Sequence, residues 1–254
     1  MQHLQDITVL VTGATSGIGA SCARAFARAG ARLLLCGRRR ERLSALAEEL
    51  GSAGVHHFTL DVRHQAAVQN AIDSLPPEWK RIDILINNAG LSRGLDPIQS
   101  GNLEDWEEMI DTNVKGLLYV SRGVLPGMVE RGRGHVINIG SIAGHEVYPN
   151  GNVYCATKFA VAALSKGMQL DLVGTGVRVT TIDPGMVETE FSLVRFHGNS
   201  ERADTVYRGL IPLTPDDVAD AVLYCATRPP HVSVHEMILM PSAQASPTVV
   251  KRNS

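Results

Sequence analysis

Cysteine is scarce in this chain: Cys22, Cys36, Cys155 and Cys225 are the whole complement. None form a C-x-x-C pair and none stand near histidines at zinc spacing. That argues against a disulfide framework and for free, buried thiols in a reducing compartment. His231 and His235 are four residues apart but lack an acidic pair to complete a metal site, so no metal is expected. Charge of one sign is also missing. The formal net charge of −2 offers no general attraction to nucleic acid or to an anionic membrane. No apolar run reaches bilayer-spanning length, and residues 1–6 are polar without a signal-peptide pattern, so the cytoplasm is the expected location. No G-x-S-x-G elbow is present, which argues against a Ser-His-Asp hydrolase. No linker, repeat or low-complexity tract divides the chain, so residues 1–254 are expected to form one domain.

What is present is a regular alternation. With 44% apolar and 20% charged residues, the chain has the balance of a soluble globular protein with ample core. Short apolar, β-branched runs at 7–12, 31–36, 57–60, 82–86, 135–139, 177–182 and 237–240 read as strands. Between them, 18–29, 40–50, 65–75, 103–130, 153–173 and 215–227 have helical composition, with Gly30, Gly51 and the pair Pro76-Pro77 as stops. Strands alternating with helices imply an α/β fold of the Rossmann type. It is a doubly wound parallel sheet with helices on both faces. In such sheets ligands bind beyond the carboxyl ends of the strands, so the residues just after each strand carry the functional information.

After the first strand comes Thr12-Gly13-Ala14-Thr15-Ser16-Gly17-Ile18-Gly19. Glycines let the backbone turn tightly against a pyrophosphate, and the following helix presents its free N–H groups and positive end to that anion. Gly13, Thr15, Ser16, Gly17, Ile18 and Gly19 are the candidate contacts. The spacing differs from G-x-G-x-x-G, which marks a distinct subgroup of dinucleotide binders. The second strand ends in Cys36-Gly37-Arg38-Arg39. An NAD site usually places a carboxylate here for the ribose 2′-hydroxyl; arginine instead suits a 2′-phosphate. The expected cofactor is therefore NADP(H), with Arg38 the main contact and Arg39 the second, although a solvated basic helix start has the same composition. Asp61 and Val62, after the third strand, and Asn88, Ala89 and Gly90, after the fourth, complete the expected lining, with Asp61 placed to accept from the adenine amino group.

Ser141 follows the fifth strand, Tyr154 lies thirteen residues later, and Lys158 four after that. The i,i+4 spacing puts Tyr154 and Lys158 on one helix face. An ammonium close to a phenol lowers its pKa from about 10, which suits proton exchange near neutral pH. Ser141 is placed to donate to a substrate oxygen.

With these motifs in hand, the chain resembles the short-chain dehydrogenase/reductase family across essentially its whole length. The matching segments are 12–19, 87–90, Asn113, Ser141, Tyr154 to Lys158 and Pro184-Gly185. The resemblance implies that Tyr154 is the proton donor or acceptor, Lys158 its electrostatic partner and a ribose contact, and Ser141 the substrate-orienting hydroxyl. It implies that Asn113 holds a water in a proton relay behind Lys158. Pro184, Gly185, Val187 and Thr189 would pack near the nicotinamide, Thr189 and the Val187 backbone bonding its carboxamide. It also implies a homotetramer. The segments Gly37-Arg38-Arg39, Asp105-Trp106, 124–130, 151–154 and 213–217 are similar to the branch of NADP-dependent 3-hydroxy acid dehydrogenases, which includes serine and L-allo-threonine dehydrogenases and relatives that reduce malonic semialdehyde or sulfoacetaldehyde. This implies a small substrate with an anionic group. The tail 240–246 resembles the tail of that branch, which reaches towards neighbouring subunits.

An anion needs a cation. Arg195 lies beyond Thr189 within an expected substrate lid, 186–212, and Arg93 after the fourth strand is a second candidate. Tyr148 and Asn150 stand between Ser141 and Tyr154 as candidate pocket walls. Plain loop packing is the alternative for all four. A reductase of uncharged ketones or 3-oxoacyl groups, and a non-catalytic dinucleotide sensor, are the competing functions. For the cofactor, a clear preference for NADPH over NADH is expected, weakened by Arg38→Asp. Equal catalytic efficiency of the native chain with both cofactors would defeat the NADP reading.

Overall fold

The computed structural model describes residues 4–51 and 54–253. The polar start of the chain, read above as lacking a signal pattern, lies in part outside them. Among the described residues, seven strands form one parallel sheet: β1 (Thr8–Thr12), β2 (Arg32–Gly37), β3 (Val55–Thr59), β4 (Ile84–Asn87), β5 (Gly134–Ile139), β6 (Val177–Pro184) and β7 (Glu236–Leu239). Their order is β3-β2-β1-β4-β5-β6-β7. The boundaries fall within two residues of those read from the sequence. Strand pairs are in parallel register throughout, for example Val9 opposite both Leu33 and Ile84.

Helices α1 (Gly17–Arg28), α2 (Arg40–Leu50) and α9 (Pro215–Ala226) cover one face, and α3 (Gln65–Asp73), α5 (Leu117–Glu130) and α6 (Asn152–Asp171) the other. The two-residue strand period sorts the side chains. Val9 and Val11 join Leu33, Leu35, Phe26 and Val222 on the first face. Leu10, Leu34 and Leu85 join Val120, Val124 and Met128 on the second. Both cores are largely aliphatic, which is why the strands read as near-continuous apolar runs.

The stretch read as one helix over 103–130 is continuous but not uniform. It consists of α4 (Leu103–Ile110), a widened π-helical turn (Asp111–Gly116) and α5. The extra residue of that turn faces Met109 towards the catalytic cluster and Val120 and Val124 towards the sheet. The expected lid contains two short helices, α7 (Phe191–Arg195) and α8 (Ser200–Tyr207). It is pinned by the Gly94 N–H donating to the Arg195 carbonyl and by Tyr207 Oη donating to the Val187 carbonyl. The tail is anchored on the lid. It folds back on its own chain: Gln244 Oε1 accepts from the Met186 N–H, and the Arg252 guanidinium donates to the carbonyls of Val206 and Arg208. All four cysteines are free and buried, and burial pushes Cys22 and Cys36 up to about 12, so both stay as neutral thiols.

Phe26 is fully buried where α1, α9 and the sheet meet. Phe26→Ala is expected to cost about 3–5 kcal/mol, read as a lower urea midpoint with an unchanged m-value.

Candidate active site

Beside β1 the strand order reverses, because the connections from β1 and β4 leave on opposite faces of the sheet. The crevice between their carboxyl ends is closed underneath by hydrogen bonds. Thr12 Oγ1 accepts from the Asn88 and Ala89 N–H groups, and Asn88 Nδ2 donates to the Thr12 and Gly13 carbonyls. Gly13 sits at φ +65° with its missing Cβ position 2.9 Å from the Ala89 backbone, so only glycine fits. No side chain caps α1. The Ser16 hydroxyl, in N-cap position, accepts from Arg39 instead, at 2.7 Å. The first N–H groups of α1 therefore point into the crevice, ready for an anion.

Above this floor lies a cavity of about 610 Å³. It is lined by Gly13, Thr15, Ser16, Gly17 and Ile18 from the glycine turn, and by Arg38, Arg39, Asp61, Val62, Asn88, Ala89 and Gly90 from the next strand ends. Ser141, Tyr148, Tyr154 and Lys158 follow, then Pro184, Gly185, Val187, Thr189 and Arg195. Four expected residues do not line it. Gly19 packs under Asn88 and the Gly13 carbonyl. Asn113 lies behind, its amide spent on the Leu91 backbone and on Thr157 Oγ1. Asn150, at φ +64°, is exposed in a turn. Arg93 is turned away: its Nε donates to Glu108 Oε2 at 2.6 Å and its Nη1 to the Val194 carbonyl, so its charge is already neutralised.

The two arginines after β2 both line the cavity but are held differently. Arg39 grips the turn, with Nε on Thr15 Oγ1, Nη2 on Thr15 and Ser16, and Nη1 on Glu190. Arg38 is half-exposed, 3.3 Å from Glu108. Asp61 is paired with its neighbour Arg63. Burial would raise its pKa, but the Arg63 guanidinium wraps its carboxylate and holds it below the ordinary value.

At the catalytic end, Ser141 leaves β5 in extended conformation, its N–H donating to Asp183 Oδ1 at 3.1 Å. Asp183 Oδ2 stands 3.1 Å from His145 Nε2, and Glu236 is 3.6 Å from the same nitrogen. This group braces the Ser141 turn from behind. His231 and His235 belong to no ligand cluster among the described residues. Tyr154 and Lys158 share the buried face of α6, and Lys158 Nζ donates to the Ile139 carbonyl at 2.9 Å. Burial dominates the Tyr154 phenol and outweighs the lowering that a nearby ammonium brings. Nζ is 5.9 Å from the Tyr154 ring centre, and burial pushes the phenol well up. The opposing influences are the Arg195 charge and a hydrogen bond with Ser141. Burial also pushes Lys158 down to about 8, partly opposed by Asp183.

Arg195 is the surprise of the pocket only in how deep it reaches. Its Nε donates to Ser92 Oγ at 3.0 Å and its Nη2 to Tyr148 Oη at 2.8 Å. Its guanidinium carbon lies 5.3 Å from the Tyr154 ring centre and 5.1 Å from that of Phe191. Phe191 in turn meets Tyr154 edge-on, ring centres 5.6 Å apart. Phe191, Glu190 and Tyr207 line the cavity without having been singled out in the sequence. Their positions depend on short lid helices, and the one available signal was proximity to Thr189.

The chain is similar to known proteins. A model of the short chain dehydrogenase family matches residues 7–198. An NADP-dependent 3-hydroxy acid dehydrogenase of Salmonella typhi is 52% identical over 238 residues, 93% of this chain and 96% of that protein. Sulfoacetaldehyde reductase 2 of Chromohalobacter salexigens is 50% identical over 244 residues, 95% of this chain and 96% of that protein. Among solved structures, the closed form of a serine dehydrogenase complexed with NADP+ superposes with a TM-score of 0.93 at 48% identity, covering 98% of this chain and 100% of that one.

The buried ammonium generates a pH dependence. Unfolded, Lys158 titrates near 10.5; folded, near 8. Below about 8 both states are charged and the folded state bears the full burial cost. As pH rises from about 8 towards 10.5 the unfolded state binds more protons, so this cost fades and stability rises. Lys158→Met removes the cost. In cofactor-free protein the variant's Tm advantage should be largest at pH 7 and shrink by pH 10; a constant difference would contradict the assignment.

Proposed function

The chain belongs to the short-chain dehydrogenase family, and on that premise we propose that it is an NADP(H)-dependent oxidoreductase interconverting a small, anionic hydroxy acid and its aldehyde or ketone. Relatives named for 3-hydroxy acids, sulfoacetaldehyde and serine support this reading, and so does the NADP+ complex of a serine dehydrogenase. The site fits the dinucleotide. The uncapped end of α1 suits a pyrophosphate, and the guanidinium beside Thr15 and Ser16 suits a 2′-phosphate.

NADP(H), when bound, supplies or takes up the hydride. The chain's own residues handle the proton and the substrate. Burial holds the Tyr154 phenol protonated at neutral pH, so in the reductive direction Tyr154 donates its proton to the substrate oxygen. The Ser141 hydroxyl donates to the same oxygen and polarises the carbonyl. Lys158, mostly charged at pH 7, stabilises the phenolate that remains. Thr189 and the Val187 backbone would hold the nicotinamide carboxamide. Asn113 keeps Leu91 and Thr157 in place beside Lys158 and supports a water relay behind it.

One observation carries the substrate class. Arg195 is part-buried in the catalytic pocket against Tyr148 and Tyr154, and among the described residues no carboxylate lies within ion-pair distance of it. A guanidinium so placed, offered only hydroxyl partners, is complemented by a carboxylate or sulfonate. Exposed apolar side chains on α5 and α6, namely Leu118, Val129, Phe159 and Leu170, support assembly into a homotetramer. Four free thiols fit a cytoplasmic setting, and no helix of the described residues is long and apolar enough to cross a membrane.

The test is NADPH oxidation with malonic semialdehyde, sulfoacetaldehyde and neutral aldehydes and ketones, for the native chain, Arg195→Gln and Tyr154→Phe. Arg195→Gln should lower kcat/KM for the anionic substrates by roughly 10- to 100-fold, the worth of a hydrogen bond to a charged group, and spare the neutral ones. Tyr154→Phe should abolish turnover of both. Turnover confined to bulky neutral ketones and indifferent to Arg195→Gln would favour the uncharged-ketone reductase instead.

A further inference from the structure

The 2′-phosphate subsite proposed above contains a carboxylate that belongs to the lid. Glu190, immediately before α7, places Oε2 2.8 Å from Arg39 Nη1. Its Oε1 lies 2.7 Å from Arg42 Nη1, which also reaches Oε2 at 2.9 Å. These partners are 151 and 148 residues away in the chain, so the contact bridges the lid and the β2–α2 corner across the cavity mouth. The pairing is an electrostatic one: Arg39 foremost, against some burial, holds the Glu190 carboxyl below its ordinary value.

Consider the donors that remain. The Arg39 Nε and Nη2 groups are committed to the Thr15 and Ser16 hydroxyls, and Nη1 to Glu190. A guanidinium has five N–H donors in a fixed fork. Four of the five are used, so a phosphate brought to Arg39 meets the one N–H left on Nη1, on the edge that Glu190 already holds, and it arrives with like charge. Arg38 does not relieve the conflict, because it faces Glu108. Arg42 gives the displaced carboxylate somewhere to go.

Resting on the NADP(H) reading, we propose that Glu190 is a specificity-determining residue that occupies the 2′-phosphate subsite as an internal carboxylate and is displaced from Arg39 onto Arg42 when NADP(H) binds. The displacement sets the margin by which the site prefers NADP(H) over NAD(H), since only the phosphorylated cofactor competes for Arg39. It also reaches the lid. Glu190 is followed directly by Phe191, which packs on Tyr154, and α7 ends in Arg195. Recognition at the adenosine end is thereby linked to the segment that carries the substrate cation.

The experiment is a fluorescence titration of the purified full chain with NADPH and with NADH, native against Glu190→Gln. Removing the competing charge should tighten NADPH by ~fivefold, the scale of a surface ion-pair network, and leave NADH within about twofold. Glu190→Ala should show the same asymmetry and guards against a hydrogen bond kept by the amide. Weaker binding of both cofactors in the variants would overturn the proposal, because Glu190 would then be a clasp closing the lid over any dinucleotide. Unchanged NADPH binding would overturn it as well. A native chain that binds NADH as tightly as NADPH would instead strike at the NADP reading itself.

Discussion

Everything functional here hangs on two neighbouring strands that part company. β1 and β4 lie side by side, yet the chain leaves them towards opposite faces of the sheet. No backbone can cover the gap this creates at their carboxyl ends, so a crevice is a geometric necessity. The Thr12 and Asn88 hydrogen bonds fix its floor to within a hydrogen-bond length. Each later strand then delivers one component to the same rim: Ser141 after β5, the Pro184 to Thr189 segment after β6. The helix α6 crosses the rim and adds Tyr154 and Lys158.

Burial does opposite things to the two catalytic ionisable groups. It raises the phenol and lowers the ammonium, because in each case the charged form is the one that loses water. The cation nearest to correcting Tyr154 belongs to the lid rather than to α6. Proton transfer and substrate charge recognition are therefore not independent parts of this pocket. An anion paired with Arg195 would also blunt the field that Arg195 exerts on the phenol.

Much of this was legible in the sequence for a definite reason. Local periodicity records burial, so strands and helices appeared near their true places, and turn chemistry at 12–19 announced the crevice. Tyr154 and Lys158 were legible because helical spacing alone puts them together. A residue near a site in sequence can still face away from it: Asn150 is exposed in a turn, and Arg93 finds Glu108 on α4, a pairing no local pattern encodes. Glu190 is illegible in the sequence for the same reason in reverse, its partners lying far back in the chain. The π-helical turn at Asp111–Gly116 escaped because its composition is that of an ordinary helix.

The tail that folds back on its own lid has a practical side. Gln244 buttresses Met186, and Arg252 clasps the end of α8 through two carbonyls. The lid's resting shape is thus written partly in the last dozen residues, far from the pocket in sequence. Grafting a new lid from a relative would have to carry its matching tail as well. An affinity tag for purification belongs at the other end of the chain.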